Sequence, residues 1–493
     1  MDGGPRILSM RGWKHILPGS LQHVYYYSYL CFDTQGNELL FPVCSSIQVI
    51  NFEVLVLHFT PRPPKFLGSC TMNSNKGLLL GFLVFYILLI RFLQSLCWKD
   101  PTSKFFKSEK AHTTTYSTYR IQQAVQHAAD LPSTLAESQV QKSRKGPPEL
   151  CIGIPSVRRE GISYLKLALG SLQHGLSSEE RMRLHFVVLI AHVNQTEHPD
   201  YDKPWLASMV DTLASYSDNE ERLRLAQTMD PRSHAIKSKF DYSIVMEECE
   251  KTGAHYVLMI EDDVVFLDGW RHRTMKALDI ATTKSWEAGK ADFLYLRLFY
   301  YEGLLGWNSE SWPTYLGSSL AVTATVLSSL LLARRYVART HISYSLILLV
   351  TLVFTPLLII LFFAAGRNCT LPQSTGVHIM DKYGCCGQGL VFPRSTVIND
   401  LLPFFRSNIS STVPTDSYIE QHADNTGALR WALTPVVMQH VGGQSSHNGR
   451  RGDTYGPSRL WNFGFEGNDA TQLAAEHAEA QDELIDETEI DFS

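Results

Sequence analysis

The sequence predicts an α/β layer fold with a mostly parallel sheet, split by a two-helix membrane hairpin and preceded by one signal-anchor helix. Three observations carry this. From Glu149 onward, short apolar runs alternate with helical patterns, as strands and helices packed in layers require. One run, residues 256–264 (YVLMIEDDV), stays apolar until it breaks into three consecutive acids, the pattern of a strand buried on both faces. Three longer apolar segments, residues 77–98, 316–333 and 345–365, have the length and composition of bilayer spans, and the last two form a hairpin.

Residues 1–71 are irregular, rich in aromatics and proline (PRPPKF), and without sustained periodicity. Met72 opens MNSNKGLLLGF, a fitting start for a type II protein, so residues 1–76 read as a gene-model extension or a disordered cytosolic tail. Segment 77–98 carries one charge, Arg91, which can snorkel to an interface, and no small-residue cleavage site follows closely. It therefore reads as an uncleaved anchor. Residues 99–147 are expected to form a stem, helical over 119–131. The first part of the layered domain, 148–315, holds strands at LCIGIPSV, RLHFVVLIAHV, YVLMI and ADFLYLRLFY, with helices over 162–174 and 237–252. The hairpin spans 316–365. Its connection carries Arg334, Arg335 and Arg339 and is cytosolic by the positive-inside rule, which puts both long polar regions on the luminal side. Structure resumes at 385–391 and 416–429 within a second part, 366–466, while 467–493 is acidic, almost free of aromatics and expected to be disordered.

A net charge of −5 gives no basic footprint and argues against nucleic acid as a partner. Three sequons, at Asn194, Asn368 and Asn408, fall on the side taken as luminal. So do Cys151, Cys249, Cys369, Cys385 and Cys386, an odd number in a compartment where disulfides persist. Adjacent Cys385 and Cys386 either bond to each other or to different partners. No CxxC spacing occurs, which argues against a structural zinc site.

The acids mark the chemistry. Glu261, Asp262 and Asp263 at the carboxyl end of a buried strand lie where α/β sheets place ligands. Their mutual repulsion calls for a cation, and a hard divalent ion such as Mg²⁺ or Mn²⁺ usually brings a phosphate. The alternative is a solvated acidic loop.

This arrangement resembles the GT-A glycosyltransferases of the Golgi, and the hairpin narrows the match. The order of YVLMIEDDV, LYLRLFYYEGL, the hairpin, Cys385-Cys386 before LVFPRS, and VMQHVG is similar to that of the family of the Golgi GalNAc-transferase acting on glycosylphosphatidylinositol (GPI) anchors. The resemblance covers roughly residues 148–447. It implies a GT-A-type domain, a UDP-sugar donor (UDP-GalNAc), Mn²⁺, and a GPI-anchored protein or GPI glycolipid as acceptor in the Golgi membrane. Carried over, Glu261, Asp263 and His440 are metal ligands, and Glu261 and Asp262 reach the metal shell or the ribose. Pro155, Val157 and Arg159 hold uracil and ribose, Gly387 and Gln388 face the sugar, and Asp416 is the general base of an inverting transfer. Each has a plainer role open to it: His440 as a core histidine, Arg159 as a loop charge, Asp416 as a helix N-terminal acid. Competing readings are an N-glycan-branching N-acetylglucosaminyltransferase, whose EDD and QHVG segments look similar, and a non-catalytic membrane protein that binds or escorts GPI-proteins. Three spans leave little room for a transporter pathway.

Overall fold

The computed structural model describes residues 74–130, 146–230, 233–337, 342–380, 386–407, 410–443 and 456–490. The expectations for residues 1–71, Met72, Cys385, the Asn408 sequon and Arg339 lie outside these. In chain order the main elements are α1 (Ser74–Leu96), α2 (Tyr116–Asp130), β1 (Leu150–Ser156), α3 (Leu165–Gln173), β2 (Leu184–Ile190), β3 (Thr212–Ala214), α4 (His234–Lys251), β4 (Tyr256–Ile260), β5 (Val264–Phe266), α5 (Trp270–Glu287) and β6 (Tyr295–Arg297). There follow α6 (Trp312–Tyr336), α7 (Tyr344–Ala365), β7 (Gly376–Ile379), β8 (Gly389–Pro393), α8 (Thr415–Thr426), β9 (Arg430–Thr434), β10 (Met438–His440) and α9 (Ala470–Ile490).

Eight strands form one sheet in the order β3-β2-β1-β4-β8-β6-β9-β7, and β10 pairs with β5 in a second, two-stranded sheet. Strands β3, β2, β1 and β4 run parallel, β8 runs against both its neighbours, and β6 and β9 are parallel. The continuous apolar runs of β1, β2 and β4 follow from this placement, because helices cover both faces of a parallel sheet. Gly153 in β1 is one point where that packing is tight: a Cβ there would lie 2.3 Å from Val245 Cγ1 of α4.

The chain leaves the sheet after β6, runs through α6 and α7, and re-enters it at edge strand β7. The hairpin thus interrupts one sheet rather than joining two domains. Helices α1, α6 and α7 are the three long and apolar enough to cross a membrane among the described residues. At about 1.5 Å per residue, each spans a hydrocarbon core of about 30 Å. Leu320, Leu332, Leu352 and Ile360 all point outward, more than half exposed, as lipid-facing residues do. Where Pro356 cannot donate a backbone hydrogen bond, α7 widens into a π-turn over Val350–Phe354. Tyr86 of α1 donates to the Leu357 carbonyl (3.0 Å), and Phe82 stacks on Phe354 at 3.8 Å.

Three expectations need correction. The anchor helix ends at Leu96, and Cys97 beyond it is bonded to Cys369. That resolves the odd cysteine count, since Cys151 pairs with Cys249 and Cys386 is also disulfide-bonded. The stem is not a free spacer: α2 packs so closely on α3 that a Cβ on Gly170 would lie 2.3 Å from the Ala124 carbonyl oxygen. Arg120 of α2 is fully buried, its guanidinium donating to the carbonyls of Phe266 and Ser171 (both 2.9 Å). The acidic tail is helix α9, docked through Leu473 and His477, both nearly inaccessible. Its polar composition reads as disorder only while the buried positions, one turn apart, go unrecognised.

Candidate metal and donor site

The site forms where β4 ends against β1 on one side and β8 on the other. Parallel register brings Ser156 of β1 alongside the acids, and its hydroxyl donates to Asp262 Oδ2 at 2.5 Å. Arg159, three residues on, reaches Asp262 Oδ1 at 2.6 Å and Asp263 Oδ2 at 3.1 Å. Burial alone would lower the Arg159 pKa, but the two aspartates more than offset it and hold the guanidinium charged. Pro155 sits in β1 opposite Leu189, and Val157 packs against the core at the strand exit.

His440 arrives through the two-stranded sheet, in which it pairs with Val264. Its Nε2 lies 3.4 Å from Asp263 Oδ2, and its Nδ1 meets Ser458 Oγ at 2.7 Å. With Nδ1–H donating to Ser458, Nε2 carries the lone pair that a metal would use. Gly442 is required beside it, because a Cβ would fall 2.2 Å from Asp263 Oδ2.

Glu261, Asp263 and His440 each offer a ligand atom, all within 4.8 Å of one another. Burial would raise the Asp263 pKa, but His440 and Arg159 outweigh it and depress the carboxyl. Glu261 moves the other way, raised by burial and by the neighbouring Asp263 charge. His440 is disfavoured as a cation by burial yet raised by Asp263. The donor set fits a divalent ion. Asp263 Oδ1 is buried without a hydrogen-bond partner, and two carboxylates with one imidazole suit a transition metal of intermediate hardness. Asp262 stands outside the group, its oxygens engaged by Ser156 and Arg159.

Antiparallel pairing of β4 with β8 sets Gln388 beside Glu261, with Gln388 Nε2 3.3 Å from each carboxylate oxygen. Asp416, at the start of α8, lies against Gly387, where a Cβ would be 3.9 Å from Asp416 Cβ. Asp416 lies in the first turn of α8, where the helix dipole favours a carboxylate, and its Oδ1 accepts from the Ser417 N–H (2.6 Å). Buried Arg297 of β6 binds Glu420 Oε1 (2.8 Å) and donates to the Cys386 carbonyl, fixing a residue whose φ is 91°. The sequence-predicted residues are therefore brought to one mouth of the sheet. Ser156 joins them from the expected β1 exit, and Arg297, Gly442 and Ser458 join without a role having been expected. Their signals were weak in the chain: a serine before a loop, an arginine in an apolar strand, a glycine after a histidine.

An α/β membrane protein with an acid–histidine cluster at the carboxyl ends of its strands belongs among the ligand-binding α/β folds whose site suits a metal and a phosphate. The family model for GPI-N-acetylgalactosamine transferase PGAP4 matches residues 150–439, more than half of the chain. The protein belongs to that family, and is accordingly a glycosyltransferase of GPI and glycoprotein biology with a GT-A-like fold. Comparison with curated proteins found no match.

Proposed function

We propose that the protein transfers GalNAc from UDP-GalNAc to the mannose core of GPI anchors on proteins in the Golgi lumen, with Mn²⁺ as its metal and inversion at the anomeric carbon. The carrying observation is the Glu261–Asp263–His440 cluster with its unpartnered Asp263 oxygen, in a chain of this family. A divalent ion held there supplies positive charge against a diphosphate leaving group. Asp262, held by Ser156 and Arg159, orients the ribose, and Pro155, Val157 and Arg159 border the uracil and ribose. Asp416 takes the proton from the acceptor hydroxyl as its oxygen bonds to C1 and the bond to the diphosphate breaks. Gly387, which lies between Asp416 and Gln388, presents no side chain toward the reacting sugar.

Membrane confinement supports the acceptor. A GPI glycan is tethered close to the bilayer, and a domain tied down by three helices gains effective concentration toward it. The test is transfer by detergent-solubilised protein from a panel of UDP-sugars with Mn²⁺ to a GPI-glycan acceptor, with Asp263→Ala in parallel. GalNAc transfer by wild type alone is expected. Transfer retained by Asp263→Ala would remove the metal assignment, and silence across the panel with GPI-protein binding intact would favour the escort reading.

A further inference from the structure

The chain that leaves α1 forms a basic loop at the surface of the bilayer. Between Trp98 and His112 it carries Lys99, Lys104, Lys107 and Lys110, all exposed, against two acids. Of those acids, Asp100 is buried and spent on Thr102, Asn368 and the Cys369 N–H. None of the four ammonium groups is in an ion pair among the described residues. Bonds to the spans set the level of the loop: Cys97 is joined to Cys369, and the Lys104 N–H donates to the carbonyl of Ala364 in the last turn of α7 (2.8 Å). The lysines are therefore held where α1 and α7 emerge, in a headgroup layer about 5–8 Å deep. The loop is also braced from within. The Lys107 N–H closes on the Trp98 carbonyl (3.0 Å), and Lys110 Nζ lies 4.2 Å from the centre of the Trp98 ring.

Behind the lysines, the loop backs onto the strand that carries His440. Phe106 meets Phe463 edge to face, with centroids 5.3 Å apart, and the neighbouring Asn462 exchanges two hydrogen bonds with the side chain of Gln439, the residue before His440. A chain already tied down by three helices gains little residence in the membrane from a few more charges. Fixed positive charge at headgroup depth, joined to β10 through Phe463 and Asn462, fits instead an anion presented to the site from the membrane surface. The acceptor proposed above carries one at that depth, the phosphodiester of its phosphatidylinositol. We propose that Lys104, Lys107 and Lys110 bind this phosphate and so hold the tethered glycan in reach of the sheet. This rests on the glycosyltransferase reading.

The probes are a GPI glycan released by phospholipase C, which keeps the inositol phosphate and loses the lipid, and the same glycan after removal of that phosphate. Their equilibrium binding is measured for three full-length proteins in neutral detergent: wild type, the triple variant Lys104→Gln, Lys107→Gln, Lys110→Gln, and the matching arginine triple. Wild type should hold the phosphorylated glycan about tenfold more tightly than the other, the worth of two or three exposed ion pairs, and salt should shrink the difference. The glutamine variant should lose this preference with its melting temperature unchanged, and the arginine variant should keep it. Equal affinity of wild type for the two glycans overturns the proposal, as does a glutamine variant that retains the preference or binds both glycans more weakly by the same factor. Variants that differ from wild type only in binding phosphatidylserine vesicles assign the loop to the bilayer and overturn it too. Phosphate-dependent binding without transfer from any UDP-sugar would uphold the surface and remove the enzyme reading, which separates the two ideas.

Discussion

Two clusters of buried charge in this molecule are built on opposite plans. At the mouth of the sheet, Asp263 Oδ1 and Gln388 Oε1 have no partner. Under α9 the carboxylates are fully engaged. Glu180 accepts from the Ser177 N–H (3.0 Å), from Gln481 (2.6 Å) and from His477 (3.1 Å), while Asp268 holds the other nitrogen of His477 at 2.8 Å. Nearby, Glu476 is clamped by Arg273 and His272. An unpaired buried polar atom costs about 1–3 kcal/mol. The clamp leaves nitrogens bare, His272 Nδ1 among them, but no buried carboxylate oxygen, whereas the site leaves Asp263 Oδ1 bare, so the carboxylates of the first cluster suit a cation and those of the second are spent on stability.

The largest effect should come from the site. Asp416→Asn is expected to lower kcat by about 10²–10⁴-fold, as loss of a general base does, while stabilisation by UDP and Mn²⁺ persists. A variant with near-normal turnover would leave Asp416 only its place as a first-turn acid of α8. Next, Ser458→Ala frees the ring nitrogen that orients His440 and should weaken Mn²⁺ affinity about 10–100-fold. Activity should then recover at high Mn²⁺, and a metal titration that leaves the two proteins superimposed would remove Ser458 from the site.

The clamp should respond to pH instead. Burial alone would lower the His477 pKa, but its hydrogen bonds to Asp268 and Glu180 raise it to about 9. A folded pKa above the unfolded value of about 6.5 gives stability that is complete below pH about 6.5 and lost as pH rises through about 9. The melting temperature should fall across that window in wild type and change less in His477→Gln; parallel curves would break the comparison. The smallest effect concerns glycans. Asn194 is exposed and should be modified, whereas the Asn368 amide donates to Asp100 (3.2 Å) and to the Glu302 carbonyl (2.9 Å) beside the Cys97–Cys369 bond. Asn194→Gln should remove a glycosidase-sensitive mobility shift, and Asn368→Gln should not.

Much of this was legible in the chain, for identifiable reasons. The Glu261–Asp263 run is legible because three acids break a strand that is apolar up to them, and His440 because it lies in the late VMQHVG segment. The interruption of the domain was legible because residues 345–365 are apolar far beyond what a core helix needs. Ser458 was not, since a serine 18 residues past the histidine has no local signal. Helix α2 was taken for a spacer because its one decisive residue, Arg120, looks like a surface charge until Phe266 and Ser171 are brought to it. Cys97 was read as lying within the membrane span 77–98, although the helix stops one residue before it.

The Cys97–Cys369 bond joins the exit of α1 to the chain just past α7. A protease that cut between the anchor and the sheet would therefore liberate nothing: the amino-terminal fragment would stay linked through sulfur, and α6 and α7 would still hold the remainder in the bilayer. Shedding into the secretory stream, open to an enzyme hung from a single anchor, is closed to this one, and its activity is confined to the membrane in which its acceptors travel.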